Sequence, residues 1–256
     1  MNTLIDITAL NQDLLIYLAI DISIAIVLLG AMRFISGLSA KVNSTEELAK
    51  EDNFAFGISV AGSIAALGIV LTGAITGENA PSYMMEAIGM FSYGLLGLIL
   101  IKVGRIVHDK IALNEIDKNQ HIKSHNLTVG LVDAAGAIAT AIVIRAVLLW
   151  VDGLDLNTFI AIICGFIVAQ TMLVLVTRIK EKQYANNNQG QCLQEAFANG
   201  QIALAIRYTG QVISTALAVT AASHFLTYSP ETLAMNLIGW LMFGIVMTIL
   251  VAILTS

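Results

Sequence analysis

Residues 53–62 read Asn53-Phe-Ala-Phe-Gly-Ile-Ser-Val-Ala-Gly62. Related passages return as Asn126-Leu-Thr-Val-Gly-Leu-Val-Asp-Ala-Ala-Gly136 and Asn199-Gly-Gln-Ile-Ala-Leu-Ala-Ile-Arg-Tyr-Thr-Gly210. Each passage follows a charged or amide-rich segment and opens a long apolar run. Asn53, Asn126 and Asn199 are spaced 73 residues apart both times. Recurrence at a fixed period marks an internal repeat, here a hairpin of two membrane spans.

Composition sets the medium. The chain has 256 residues, 57% of them hydrophobic and 12% charged, with a mean hydropathy of +0.81. A soluble domain carries about 25% charge. The profile is that of an all-α polytopic membrane protein, one transmembrane domain over residues 1–256. Seven runs are long enough to span: 14–35, 54–76, 84–105, 127–151, 157–177, 201–226 and 234–254. The repeats then cover 14–76, 84–151 and 157–226, with 234–254 as an extra span. The first run has acidic flanks, Asp6 and Asp13, so no cleavable signal is expected. Cys164 lies in an apolar run and Cys192 in a polar linker, so no disulfide is expected.

Charge gives the orientation. The linkers after spans one, three and five, with the adjoining span ends, hold 11 of the 13 Lys and Arg. The other two, Arg145 and Arg207, are inside spans. The opposite loops carry Asp6, Asp13, Glu78, Asp152, Asp155 and Glu231 and no Lys or Arg. Basic loops stay in the cytoplasm, so for a bacterial inner membrane the N-terminus is expected outside and the C-terminus inside. The basic linkers are helix-compatible, and Ser44 with Glu47 fits a capping box. They are expected as short surface helices, although Asn186-Asn-Asn-Gln-Gly190 favours an unstructured connector for the third.

Aligning the passages on Gly62, Gly136 and Gly210 puts four positions of each on one helix face. These are Ala55, Ser59, Gly62 and Ala66; Val129, Asp133, Gly136 and Thr140; Ala203, Arg207, Gly210 and Ser214. Small residues let helices approach closely in lipid. Spans two, four and six are therefore expected to pack by these faces at the centre, with the three glycines as packing positions. Ser59, Asp133 and Arg207 share one depth, about 10 Å from the basic end at 1.5 Å per residue. A charge at the middle of a membrane helix costs about 2.5–3.5 kcal/mol. Pairing of Asp133 with Arg207 would offset much of it. The alternatives are separate accommodation, with Arg207 snorkelling, or a transport path. Asp21 and Arg145 form a second set nearer the outer end, and can be read as a tie or as part of that path.

Other constellations are weak. His121 and His125 are four apart, with His108 upstream. No HExxH motif or cysteine pair accompanies them, so they read as a solvated linker face and no metal is expected. His224 lies near the outer end of span six and reads as interfacial. No phosphate loop, nucleophile elbow, catalytic carboxylate pair or nucleic-acid signature occurs, so neither a cofactor nor an enzymatic activity is expected.

The first passage, preceded by Glu46, Glu47 and Asp52 and continuing to Gly68, resembles the "Asn-x-Ala-Ala, then Gly, then Gly" signature of the domain of unknown function 350 family. The passage from Asn199 is similar, and His125-Asn126-Leu-Thr-Val-Gly130 resembles the family's weaker second copy. The chain departs from the signature at Leu127 and at Gly200-Gln201. Members commonly have four spans, so this chain would be an extended form. The resemblance implies a bacterial inner-membrane location and brings no catalytic residues. The function expected is a non-enzymatic scaffold or subunit of a membrane-associated assembly. Its partners are the bilayer and either a second copy or another protein. The alternative is a small-solute or ion transporter using Asp21, Asp133, Arg145 and Arg207.

Overall fold

A computed structural model describes residues 12–40, 42–75, 81–151 and 153–255. Asp6, Lys41, Glu78 and Asp152, among the charges that set the expected orientation, lie outside the described residues. The helices are α1 (Gln12–Ala40), α2 (Ser44–Ala49), α3 (Phe54–Ile75), α4 (Tyr83–Val107), α5 (Lys118–Lys123), α6 (Leu127–Trp150), α7 (Leu156–Asn187), α8 (Leu193–Ala198), α9 (Ile202–Thr220), α10 (Ala222–Phe225) and α11 (Leu233–Leu254). No strand occurs among the described residues. Among the described residues, seven helical stretches are long and apolar enough to cross a membrane, and they match the seven runs in the sequence. Three run past the expected ends. Span three continues through a π-turn, His108–Ala112, α7 extends to Asn187, and α1 extends to Ala40.

The apolar side chains decide which helices are central. α6 is buried along most of its length and packs between α3 and α9, with α4 and α7 also against it. α1 lies on α3 and α4, and α11 on α7 and α9. The outer helices turn Ile22, Ile26, Val27, Phe34, Met242, Val246 and Ile253 outward. A contiguous exposed apolar surface of this kind is what a lipid-facing bundle requires.

The closest crossing is α3 on α6. A Cβ on Gly62 would lie 2.6 Å from Ala134 Cα, and one on Gly130 would lie 2.5 Å from the Ala55 carbonyl oxygen. Ala55, Ser59, Gly62 and Ala66 are all buried, as are Val129, Asp133, Gly136 and Thr140. The third stripe corrects the expectation. Ala203, Arg207 and Gly210 are exposed, and nothing comes within 4 Å of a Cβ on Gly210. α9 instead buries Ala205, Tyr208, Val212, Ala216 and Val219, because Tyr208 packs edge-on against Phe197, with ring centroids 5.3 Å apart. That aromatic anchor rotates the face away from Arg207.

The three basic linkers meet at one end of the bundle. Each contains a short helix, including the third, whose amide-rich run is partly taken into α7. Asn43, not Ser44, caps α2, accepting from the Thr45 and Glu46 amides at 3.0 and 3.3 Å. Asn53 and Asn126 then act twice. Their Oδ1 atoms cap α3 and α6, accepting from Phe56 N at 3.0 Å and Val129 N at 3.2 Å. Their Nδ2 atoms donate to the C-terminal carbonyls of the next linker helix. Asn53 reaches Ile122 at 3.0 Å, and Asn126 reaches Ala198 at 2.7 Å. Left-handed residues, Asp52 and His125, precede both caps. Asn199 does not take this role: it ends α8, and Gln201 precedes α9 without a side-chain cap. In the same linker, burial and the hydrogen bond donated to Glu115 at 2.7 Å push the Cys192 thiol pKa up.

The crossing gives a direct test. Gly62→Ala and Gly130→Ala should each lower stability by about 1–3 kcal/mol through overpacking. Gly210→Ala should be neutral or stabilising by up to about 1 kcal/mol. Reversible unfolding in mixed micelles measures all three.

Candidate functional site

The tight α3–α6 crossing brings Ser59 and Asp133 into contact. Ser59 Oγ donates to Asp133 Oδ2 at 2.5 Å. Asp133 is 1% exposed, and a carboxylate held so far from water needs partners for both oxygens. α4 supplies Arg105, whose Nε donates to Oδ1 at 3.2 Å and Nη2 to Oδ2 at 2.6 Å. This two-point fork is the geometry in which guanidinium holds carboxylate best. Lys118, the first residue of α5, places Nζ 2.8 Å from Oδ1. Four donors therefore fill the four acceptor sites of the carboxylate.

The remaining atoms are also engaged. Arg105 Nη1 donates to Ser63 Oγ at 2.9 Å and Nη2 to Ser59 Oγ at 2.8 Å. Ser63 Oγ donates to the Ser59 carbonyl at 2.9 Å. Lys118 Nζ donates to the Arg105 carbonyl at 3.3 Å and lies 3.9 Å from Asp109 Oδ1. Asp133 and Asp109 thus face Arg105 and Lys118, and the cluster is electrically neutral. It joins α3, α4 with its π-turn, α5 and α6.

The other charges named in the sequence lie elsewhere. Arg207 does not pair with Asp133: its Nη2 donates to the Thr255 carbonyl at 2.9 Å, on the outward face of α9. Arg145 does not pair with Asp21: its Nε donates to Thr72 Oγ1 at 3.0 Å. Asp21, 4% exposed, faces Glu86. Gly136 packs against a histidine, since a Cβ there would lie 2.9 Å from His108 Nδ1. His108 is itself buried, with Nε2 3.4 Å from the Tyr208 hydroxyl, because the helix continues past Arg105 and carries it into the bundle. It is no part of a solvated linker face. No group of three or more His, Cys, Asp or Glu fit to hold a metal occurs among the described residues.

Arg105 and Lys118 are the residues that sequence reasoning missed. In the sequence both count only among the 11 Lys and Arg of the basic end. The signal available was the position of Arg105 at the end of span three. The helix continues past it through Val107 and the π-turn to Ala112, about 10 Å further at 1.5 Å per residue, and this turns a boundary residue into one that reaches the depth of Asp133.

A seven-span helical bundle tied by a buried, neutral ionic cluster defines an integral membrane protein with a polar core. The family described as Domain of Unknown Function (DUF350) matches residues 9–148, and the chain belongs to that family. All members of the Asp133 cluster fall within the matched region, and α7–α11 fall beyond it. The chain is also similar to a protein named UPF0719 transmembrane protein from Aquifex aeolicus (strain VF5), 26% identical over 133 residues. That match covers 52% of this chain and 49% of the relative, so the chain spans about half the length of the curated relative it matches. No solved structure matches. The protein is therefore a multi-pass membrane protein of an uncharacterised family.

The ionic cluster makes the central charge far more costly to disturb than the outlying one. Asp133→Ala leaves two cations facing each other in the interior and should destabilise the fold by about 3–5 kcal/mol. Arg207→Gln should change stability by no more than about 1 kcal/mol. Unfolding midpoints of the two variants in one detergent compare them directly.

Proposed function

We propose that the protein is a non-enzymatic scaffold or subunit of a membrane-associated assembly in a bacterial inner membrane. In this reading its N-terminus is outside and its linker end is in the cytoplasm. The observation that carries it is the saturation of Asp133. A residue that moves a proton or an ion along a path needs an open coordination site or access to water. Asp133 has four donors on its two oxygens and is 1% exposed. Arg145 lies 12 residues further along α6, about 18 Å at 1.5 Å per residue. The interior between them is filled by Ala66, Leu67, Val70, Ala141, Val143 and Ile144, all buried. Glu46, Lys50, Gln120, Lys123, Lys182 and Glu195 are exposed at the linker end, a mixed-charge surface suited to a protein partner.

A second reading, a small-solute or ion transporter, draws on one observation. Asp21 Oδ1 is buried without a hydrogen-bond partner and the side chain faces Glu86. Two carboxyl groups together in a membrane can share a proton or a cation.

Extraction in mild detergent followed by mass determination separates the two. The scaffold reading expects a stoichiometric partner, lost when Lys50, Lys123 and Lys182 are replaced by Glu. A partner-free protein that conducts ions in liposomes, with flux abolished by Asp21→Asn, would overturn it. Orientation has its own test in a variant lacking Cys164 and Cys192. A membrane-impermeant maleimide should label Thr227→Cys in intact cells, and Ser124→Cys only after permeabilisation.

A further inference from the structure

A cavity of about 240 Å³ opens at the linker end between α1, α4 and α5, beside the Asp133 cluster. Lys102, Arg105 and Lys118 line it, with Asp109, Asn119 and Ser36. Two of the three cations are committed: Arg105 and Lys118 hold Asp133, and Lys118 also faces Asp109. Lys102 takes part in no hydrogen bond or ion pair among the described residues, so the wall and the carboxylate behind it carry one positive charge in excess. Ser36 is a second, independent sign of a ligand. It is 4% exposed, and its Oγ, buried at the cavity wall, has no hydrogen-bond partner. A buried hydroxyl left unpaired is costly, and a ligand acceptor in the cavity would satisfy it.

The remaining walls name the setting. Met32, Ile35 and Ile106 complete the lining, and Ile106, Phe34 and Val103 are exposed around it. The cavity therefore sits where the apolar belt of α1 and α4 meets the basic end. It is smaller than the pockets that hold drug-sized ligands, about 300–1,000 Å³, and suits a compact anion. We propose that this cavity binds a phosphate group, with Lys102 as its cationic contact and Ser36 as its hydroxyl donor. The phosphate is carried either by an acidic phospholipid, whose acyl chains follow the apolar belt, or by a soluble phosphate ion.

The test uses the full chain in detergent, with native mass spectrometry counting bound ligand. Phosphatidylglycerol and inorganic phosphate serve as probes and phosphatidylcholine as the reference lipid. Lys102 is outside the Asp133 cluster, so Lys102→Ala should leave the unfolding midpoint unchanged. Lys182→Ala, at the same end of the bundle, controls for general charge. Preferential retention of phosphatidylglycerol, weakened about tenfold by Lys102→Ala as for a lost charge-assisted hydrogen bond, supports the proposal with lipid as the source. Ser36→Ala should weaken it several-fold. Displacement of that lipid by inorganic phosphate, or direct phosphate binding that depends on Lys102, supports it with a soluble source. Equal binding by the parent protein, Lys102→Ala and Ser36→Ala overturns it. So does an equal loss in Lys182→Ala, which would reduce the effect to unspecific electrostatics.

Discussion

The carboxylate of Asp133 constrains everything around it. A charge at this depth in a bundle has no water to turn to, so the protein must bring donors to it from several helices. Ser59 comes from α3, Arg105 from α4 and Lys118 from α5, and together they fill both oxygens. Each donor requires a specific piece of backbone. Ser59 reaches only because Gly62 and Gly130 let α3 and α6 approach almost to backbone contact. Lys118 reaches because α5 is folded back over the end of α6, where the Asn53 side chain holds its C-terminal carbonyl.

The linker end is therefore an organised layer. Asn53 binds the second linker helix and Asn126 the third. Gln194 joins the layer further, accepting from Glu115 N at 2.9 Å and donating to the Ala112 carbonyl at 3.2 Å. Polar side chains at the membrane boundary satisfy the helix ends, which would otherwise be left without partners at the edge of the hydrocarbon. The same layer places Lys102, Arg105 and Lys118 on one wall, so the interior tie and the basic cavity share a structural origin.

The sequence was most legible where one physical rule dominates. Hydropathy located all seven spans, because a membrane leaves the backbone little other choice. Equal depth brought Ser59 and Asp133 onto one level, and small residues marked the faces of α3 and α6 that meet. The sequence was least legible where side-chain size in a neighbouring element decided the outcome. Tyr208, packed on Phe197, turns Arg207 and Gly210 outward, although their spacing matches Ser59 and Gly62. Lys118 was hidden because tertiary contacts set the fold-back of α5, and Arg105 and His108 were hidden by boundary placement. A helix read as ending at residue 105 leaves them at the surface, whereas one running through the π-turn carries His108 into the core and sets Arg105 against Asp133. Periodicity has no term for such an extension.

The central claim is that Asp133 and Arg105 form one energetic unit across α4 and α6. A double-mutant cycle with Asp133→Asn and Arg105→Gln, measured by reversible unfolding of the full chain in mixed micelles, tests it most directly. A coupling of about 2–3 kcal/mol between the two substitutions is the expected result. Additive losses, agreeing within about 0.5 kcal/mol, would contradict it and return Asp133 to the list of residues free to serve a transported ion.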